Sequence, residues 1–207
     1  MRMADFPRSR LFAIVAAAVL ALLVASAATW FVLTPATRSM AGGEALVGGP
    51  FTLVDQHGEE RTEQDFAGRY MLIYFGYTYC PDFCPMSLSN MTQAMDLLPP
   101  EAADQVVPIF ITVDPERDTV EQLAEYAPLF DPRLVALTGS PEATKAAAQA
   151  YRVYFAKAGD RDADTYLMDH STFIYLMGPD GRYVRHFSHS AAPEEIAEGI
   201  EAAIAEA

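Results

Sequence analysis

Residues Leu11 to Leu33 form one apolar run, interrupted only by Ser26 and Thr29. A run of that length asks for a bilayer rather than a core. As an α-helix rising about 1.5 Å per residue it reaches roughly 34 Å, enough for one tilted crossing of a hydrocarbon layer about 30 Å thick. Arg2, Arg8 and Arg10 precede the run, and only Arg38 follows it closely. The positive-inside bias therefore keeps residues 1–10 in the cytoplasm and exports everything beyond residue 33. A cleaved signal peptide is the competing reading, because Ala25-Ser26-Ala27 offers small residues of the kind a signal peptidase accepts. Continuation through Trp30-Phe31-Val32-Leu33 favours a retained anchor over residues 11–33, since cleaved apolar regions stop at about 7–15 residues. Trp30 also suits a membrane interface. No cysteine lies near the span, which excludes a lipid-modified one as the anchor.

Residues 34–50 are rich in Ala, Gly and Thr without an apolar period, so they read as a flexible tether. The folded unit is then expected over 51–207, a length that buries one good core. The chain carries a formal charge of −14, and the exported part is more acidic still because the N-terminal arginines lie outside it. Nucleic acid is excluded as a partner, and the excess negative charge serves mainly solubility.

Phe51 to Val54 alternates as a half-buried strand would, and Asp55-Gln56-His57-Gly58 supplies a turn, which predicts an N-terminal hairpin. Tyr70 to Phe75 and Val106 to Val113 are near-continuous apolar runs suited to central strands covered on both faces. Between them a helix runs from about Pro85 to Leu98, stopped by Pro99-Pro100, with Met91, Met95 and Leu98 on one stripe. Thr119 with Gln122 predicts a capped second helix ending near Phe130, Leu134 to Thr138 a strand, and Ser140-Pro141-Glu142 a third helix. Phe173 to Met177 and Arg182 to Phe187 flank the turn residues Gly178-Pro179-Asp180-Gly181, and Pro193 opens a terminal helix. The order is βαβα, an extra βα, then ββα. That is an α/β, thioredoxin-like fold with an N-terminal β-hairpin, preceded by one transmembrane helix.

Both cysteines stand in Tyr79-Cys80-Pro81-Asp82-Phe83-Cys84-Pro85, between the end of a central strand and the start of its helix. A helix N-terminus offers backbone N–H groups and a positive dipole end, which favour thiolates. Four residues apart, the two sulfurs can face one side of the first helical turn and chelate one ion. A structural disulfide is chemically available outside the cytoplasm, but closing so short a loop constrains the unfolded chain little. Cys80 and Cys84 are therefore either a redox-active pair or part of a metal site. A third ligand decides between these. Thioredoxin-type oxidoreductases place a proline opposite their cysteines, whereas no proline occurs here between Pro141 and Pro179, and Met168-Asp169-His170-Ser171 takes that place. Two thiolates and the His170 imidazole suit Cu(I) first and Zn(II) second.

At this point the chain resembles the Sco/SenC family of copper-binding assembly factors for cytochrome c oxidase. The resemblance spans roughly residues 50–204 and rests on Tyr74-Phe75-Gly76-Tyr77-Thr78 leading into the cysteine motif, on Val113-Asp114-Pro115-Glu116-Arg117-Asp118-Thr119, and on Asp169-His170-Ser171. It implies that Cys80, Cys84 and His170 bind copper, as Cu(I) with Cu(II) left open. It also implies a copper chaperone rather than an enzyme with catalytic residues, acting on the dinuclear copper centre of the oxidase. The alternatives it leaves are a thiol-disulfide reductase acting on the oxidase's copper-ligand cysteines and a copper-dependent sensor. Implied partners are the oxidase's copper-binding subunit, a copper donor protein and a thioredoxin-like reductant. The expected setting is a bacterial inner membrane with the domain in the periplasm, since the N-terminus lacks an Arg- and Ser-rich presequence. Val120 departs from the proline that many relatives carry, at a helix start.

Asp114, at the end of a central strand, is a candidate to orient a ligand or meet a partner, or else simply a turn residue. His186 and His189 read as surface histidines rather than a second metal site, and Met91 and Met95 as core rather than copper ligands. Tyr77 and Tyr79 are expected to frame the site as exposed surface.

Overall fold

The alternation at Phe51–Val54 emerges as an antiparallel pair, β1 (Thr52–Asp55) and β2 (Glu60–Thr62), with Thr52 opposite Thr62. The computed structural model describes residues 47–159 and 166–207. The apolar run 11–33, and with it the expected anchor, lies outside the described residues, as does the tether up to residue 46. Among the described residues no helix is long and apolar enough to cross a membrane.

After a 3-10 turn at Glu63–Phe66 come β3 (Tyr70–Gly76), helix α1 (Phe83–Leu97), a single-turn α2 (Pro100–Ala103) and β4 (Val106–Thr112). Then follow α3 (Val120–Tyr126), β5 (Val135–Thr138) and α4 (Pro141–Ala150). A ribbon of β6 (Phe155–Ala158) and β7 (Leu167–His170) precedes the hairpin β8 (Phe173–Met177) and β9 (Tyr183–Ser188), and α5 (Pro193–Ala205) closes the chain. The main sheet has the order β2-β1-β5-β4-β3-β8-β9. Strands β3, β4 and β5 run parallel, while β1 and β8 join antiparallel. Strands β9-β8-β3-β4 with their helices give the expected thioredoxin-like arrangement.

β3 and β4 are buried at every position, as their unbroken apolar sequences require of strands covered on both faces. Pro108, which has no N–H to give, sits in β4 before the pairing with β5 begins at Ile109. The period of two along β3 then sorts its side chains. The Tyr70 hydroxyl donates to the Ala203 carbonyl of α5 at 2.9 Å, and Tyr74 meets Cys84 of α1 on the same face, where α1 and α5 pack together. Phe75, on the other face, stacks against Tyr151 and Tyr175.

α1 starts at Phe83, two residues before the expected Pro85, because a proline in the first turn lacks only an N–H that the helix leaves unpaired. Met91 and Met95 are buried in the core, as expected. Pro99-Pro100 both ends α1 and opens α2. Thr119 and Ser140 cap α3 and α4 by accepting N–H bonds from Gln122 and Ala143. The β6–β7 ribbon was not expected. Its four-residue strands are mostly half-exposed and lack apolar alternation, so Asp169 and His170 read as loop although His170 ends a strand paired to Phe155.

Asp55 pins the first turn, accepting from the His57 and Glu59 N–H groups and from Arg61 Nε at 2.8 Å. Burial alone would raise its pKa, but the bonds from Arg61, Glu59 and His57 hold it below the ordinary aspartate value. A carboxyl that is more acidic folded than unfolded stabilises the fold above its unfolded pKa of about 3.9, and that stability is lost as pH falls through the lower folded value. In a fragment of residues 47–207, Asp55→Asn should lower unfolding free energy by about 1–3 kcal/mol near neutral pH, with the gap to the native sequence narrowing towards about pH 3. Urea unfolding at both pH values checks this, and a gap independent of pH contradicts it.

Candidate metal centre

The end of β3 and the start of α1 set the two cysteine side chains. Beyond Gly76, Cys80 N–H donates to Tyr77 O at 3.3 Å, closing a turn over Tyr77-Thr78-Tyr79. Asp118 clamps that turn. Its buried carboxylate accepts from Thr78 N at 3.0 Å, from Thr78 Oγ1 at 2.6 Å and from Thr112 Oγ1 at 2.6 Å, while its backbone carbonyl accepts from Thr138 Oγ1. The turn after β3 and the ends of β4 and β5 are thus tied through one residue. Burial raises the Asp118 pKa, opposed by the bonds from Thr112 and Thr78.

Asp82 occupies the helix-cap position of α1 but makes no side-chain cap bond. The Cys80 sulfur does this work, accepting the Cys84 N–H at 3.4 Å. Cys80 is pulled down to about 3, first by its bond with the Cys84 thiol, then by His170 and the backbone N–H groups of Cys84 and Asp82, against burial. Cys84 is pushed up, by donating in that same bond and by its own burial. Without a metal the pair therefore rests as one thiolate and one thiol, both cysteines being free of any disulfide.

Cys84 is fully buried, and its place exists because residue 76 is glycine. A Cβ built there would lie 2.8 Å from Cys84 Sγ, 2.9 Å from Tyr74 Cε1 and 3.0 Å from Phe110 Cε2. The Tyr74 hydroxyl, on the same strand face, stands 3.8 Å from that sulfur.

His170 arrives from the ribbon. Its Nδ1 lies 2.9 Å from the Ser171 carbonyl, which assigns a proton to Nδ1, and its Nε2 faces Cys84 Sγ, 3.6 Å away. The rings of Tyr74 and Tyr77 meet the imidazole at 76° and 88°, fixing its plane. Ser171 and Tyr154 hold the base of the ribbon by two reciprocal bonds of 2.9 and 3.1 Å.

The structure thus brings together all three residues singled out from the sequence: the donor atoms of Cys80, Cys84 and His170 lie within 4.8 Å of one another. Among the described residues this is the only such cluster of three or more His, Cys, Asp or Glu side chains. His186 is exposed, as expected, and bonded to the Tyr183 hydroxyl, whereas His189 is half-buried and packs on Phe83. Asp114 bonds none of the three. Its carboxylate pairs with Arg117 Nε and accepts from the Tyr166 hydroxyl at 2.7 Å. Arg117 in turn lies over the rings of Tyr166, Tyr79 and Tyr77, so Asp114 acts on the site through the wall beside the cysteine turn. Tyr79 is 54% exposed, as expected, but Tyr77 is buried at 2% because its ring packs against His170 instead of facing solvent.

An open pocket of about 320 Å³ leads to the site, with Cys80 and His170 in its wall and Phe83 and Leu167 exposed beside it. Tyr74, Gly76 and Asp118 had no part in the sequence-level site. The signal for the first two was the period of two along β3, which puts both on the face that the cysteine-bearing helix covers.

A family model described as SCO1/SenC matches residues 39–205. Protein SCO1 homolog 1, mitochondrial, of Arabidopsis thaliana is 43% identical over 158 residues, covering 76% of this chain and 47% of that protein. The crystal structure of Arabidopsis thaliana ScoI with copper bound shares 39% identity at a TM-score of 0.70, covering 78% of this chain and 99% of the other. The structure of Bradyrhizobium japonicum ScoI with copper bound shares 44% identity at a TM-score of 0.69, covering 75% and 98%. The chain spans only 47% to 61% of the length of the first curated relatives it matches.

Gly76→Ala should overpack the contact between strand end and helix, lowering stability by about 1–3 kcal/mol. It should also displace the Cys84 sulfur, so that metal affinity falls further than unfolding alone explains. Thermal melts of the metal-free domain together with a competitive Cu(I) titration check both effects. Unchanged affinity in the folded variant would contradict the seating role of Gly76.

Proposed function

The chain belongs to the SCO1/SenC family, and on that footing we propose that it is a membrane-anchored copper chaperone whose Cys80, Cys84 and His170 hold Cu(I) for the dinuclear copper centre of cytochrome c oxidase. The convergence of two sulfurs and one imidazole nitrogen within 4.8 Å carries this reading. Thiolate and imidazole are soft and borderline donors that match a soft monovalent cation, and copper-bound relatives at 39% and 44% identity support the same metal. Copper is cargo here, so the site must release as well as bind.

The three residues divide that task. Cys84 is enclosed on the sheet, whereas Cys80 and His170 line the open pocket. An incoming ligand from a partner protein therefore meets Cys80 and His170 first, and donors are exchanged one at a time without a free ion. The Ser171 carbonyl keeps Nδ1 protonated and so keeps Nε2 available as the donor. The acceptor is the oxidase's copper-binding subunit. A donor protein supplies the copper, and a thioredoxin-like reductant keeps both sulfurs as thiols. Residues 11–33 anchor the chain in a bacterial inner membrane, residues 34–50 tether it, and the domain from 51 onward works in the periplasm, with residues 1–10 in the cytoplasm.

A second reading, thiol-disulfide reduction of the oxidase's copper-ligand cysteines, is favoured by one observation: both cysteines are free and Cys80 holds its negative charge far below the ordinary thiol range. That chemistry needs both sulfurs but not the imidazole, which separates the two readings.

His170→Ala should lower Cu(I) affinity by more than the roughly 10- to 100-fold that loss of an outer-shell partner costs, while leaving thiol reactivity in place. With free Cu(I) at about a thousand times the dissociation constant, the native domain should gain about 4 kcal/mol of stability, and the variant most of that less. Buffered-Cu(I) melting curves and restoration of oxidase assembly in cells check the reading. Full assembly by His170→Ala would favour the reductase.

A further inference from the structure

Tyr74 touches two of the three ligands from beneath. It is fully buried on β3, its ring meets the His170 ring edge-on at a centroid separation of 6.0 Å, and its hydroxyl stands 3.8 Å from Cys84 Sγ. A buried phenol needs an acceptor for its proton, because leaving that group unpaired away from water is costly. The acceptor within reach is the Cys84 sulfur. The Ser87 hydroxyl of the same helix gives its proton to the Phe83 carbonyl at 2.8 Å. A metal-bound Cys84 thiolate offers a charged acceptor, and hydrogen bonds to charged groups are roughly twice as strong.

We propose that Tyr74 is a positioning residue whose hydroxyl donates to the Cys84 thiolate, aiming that sulfur at the metal and drawing electron density from it so that the site favours Cu(I) over Cu(II). The proposal rests on the copper reading above and adds to it a residue that selects the oxidation state. Hydrogen bonds to a ligating sulfur and its burial are the levers by which a protein tunes a copper–thiolate site. Here one strand position supplies both, since Gly76, two residues on, makes the room in which Cys84 meets Tyr74.

The test compares the full chain and its Tyr74→Phe variant in detergent, each loaded with Cu(I) or Cu(II). Phenylalanine keeps the ring contact with His170 and removes only the hydroxyl. The ratio of Cu(I) to Cu(II) affinity should fall about tenfold, equivalent to about 59 mV in a one-electron midpoint potential. The thiolate-to-Cu(II) charge-transfer band should move to longer wavelength. Neither readout responds to a merely structural role, which would lower only the melting temperature of the metal-free chain. A variant that loads copper fully with band and ratio unchanged overturns the proposal and leaves the copper reading intact, whereas a native chain that holds no copper overturns both. Should the variant not fold, proton NMR of the Cu(I)-loaded native chain decides. A slowly exchanging Tyr74 hydroxyl proton close in space to the Cys84 β-protons supports the proposal, and one exchanging as fast as an exposed phenol overturns it.

Discussion

The site depends on how closely the first turn of α1 approaches the end of β3. That approach is set by Gly76, where the absence of a side chain lets Cys84 reach the sheet, and by Asp118, which ties the intervening turn to the ends of β4 and β5. Once the helix is seated there, its first N–H groups have no intrahelical partners, and the Cys80 sulfur becomes one of their acceptors. The electronic state of the pair follows from backbone geometry. Charge gathers on the sulfur at the helix N-terminus, and the enclosed sulfur keeps its proton.

His170 belongs to a differently built part of the molecule. β6 and β7 pair with each other and with no strand of the main sheet, and only Met168 of the two strands is buried. The buried junction of β3 and α1 therefore presents the two sulfurs, while a half-exposed ribbon presents the imidazole. The ribbon is held at its base by Ser171 and Tyr154, and at its ligand by the rings of Tyr74 and Tyr77. On the chaperone reading proposed above, that asymmetry lets the imidazole exchange while the core keeps the two sulfurs in place.

The central strands were legible in the sequence because burial on both faces leaves an unbroken apolar signature, and the helix starts because Thr119, Ser140 and Pro193 are capping and first-turn residues. The cluster of Cys80, Cys84 and His170 was legible for a chemical reason: the two cysteines share one strand-to-helix junction, and a histidine stands where a redox relative of this fold would place proline. The β6–β7 ribbon was not, since four-residue half-exposed strands carry no period. Nor was the inward turn of Tyr77, because exposure of a loop tyrosine depends on which ring it meets across the fold, here His170, a contact between residues far apart in sequence. Asp114 was a candidate to orient a ligand or meet a partner, and it bonds Arg117 and Tyr166 beside the cysteine turn rather than any of the three clustered residues. Of the supporting residues, Tyr74 and Gly76 carry a signal in the period of two along β3, whereas Asp118 is recognisable only from its bonds to Thr78 and Thr112 across the fold.

The central claim is that two sulfurs and one imidazole nitrogen from Cys80, Cys84 and His170 form one copper centre. X-ray absorption at the copper edge of the reduced, Cu(I)-loaded chain measures this directly. The account predicts two sulfur scatterers and one imidazole nitrogen per copper, with the nitrogen lost in His170→Ala and one sulfur lost in each cysteine variant. A copper shell of sulfur alone, or one unaltered by removal of His170, would contradict it.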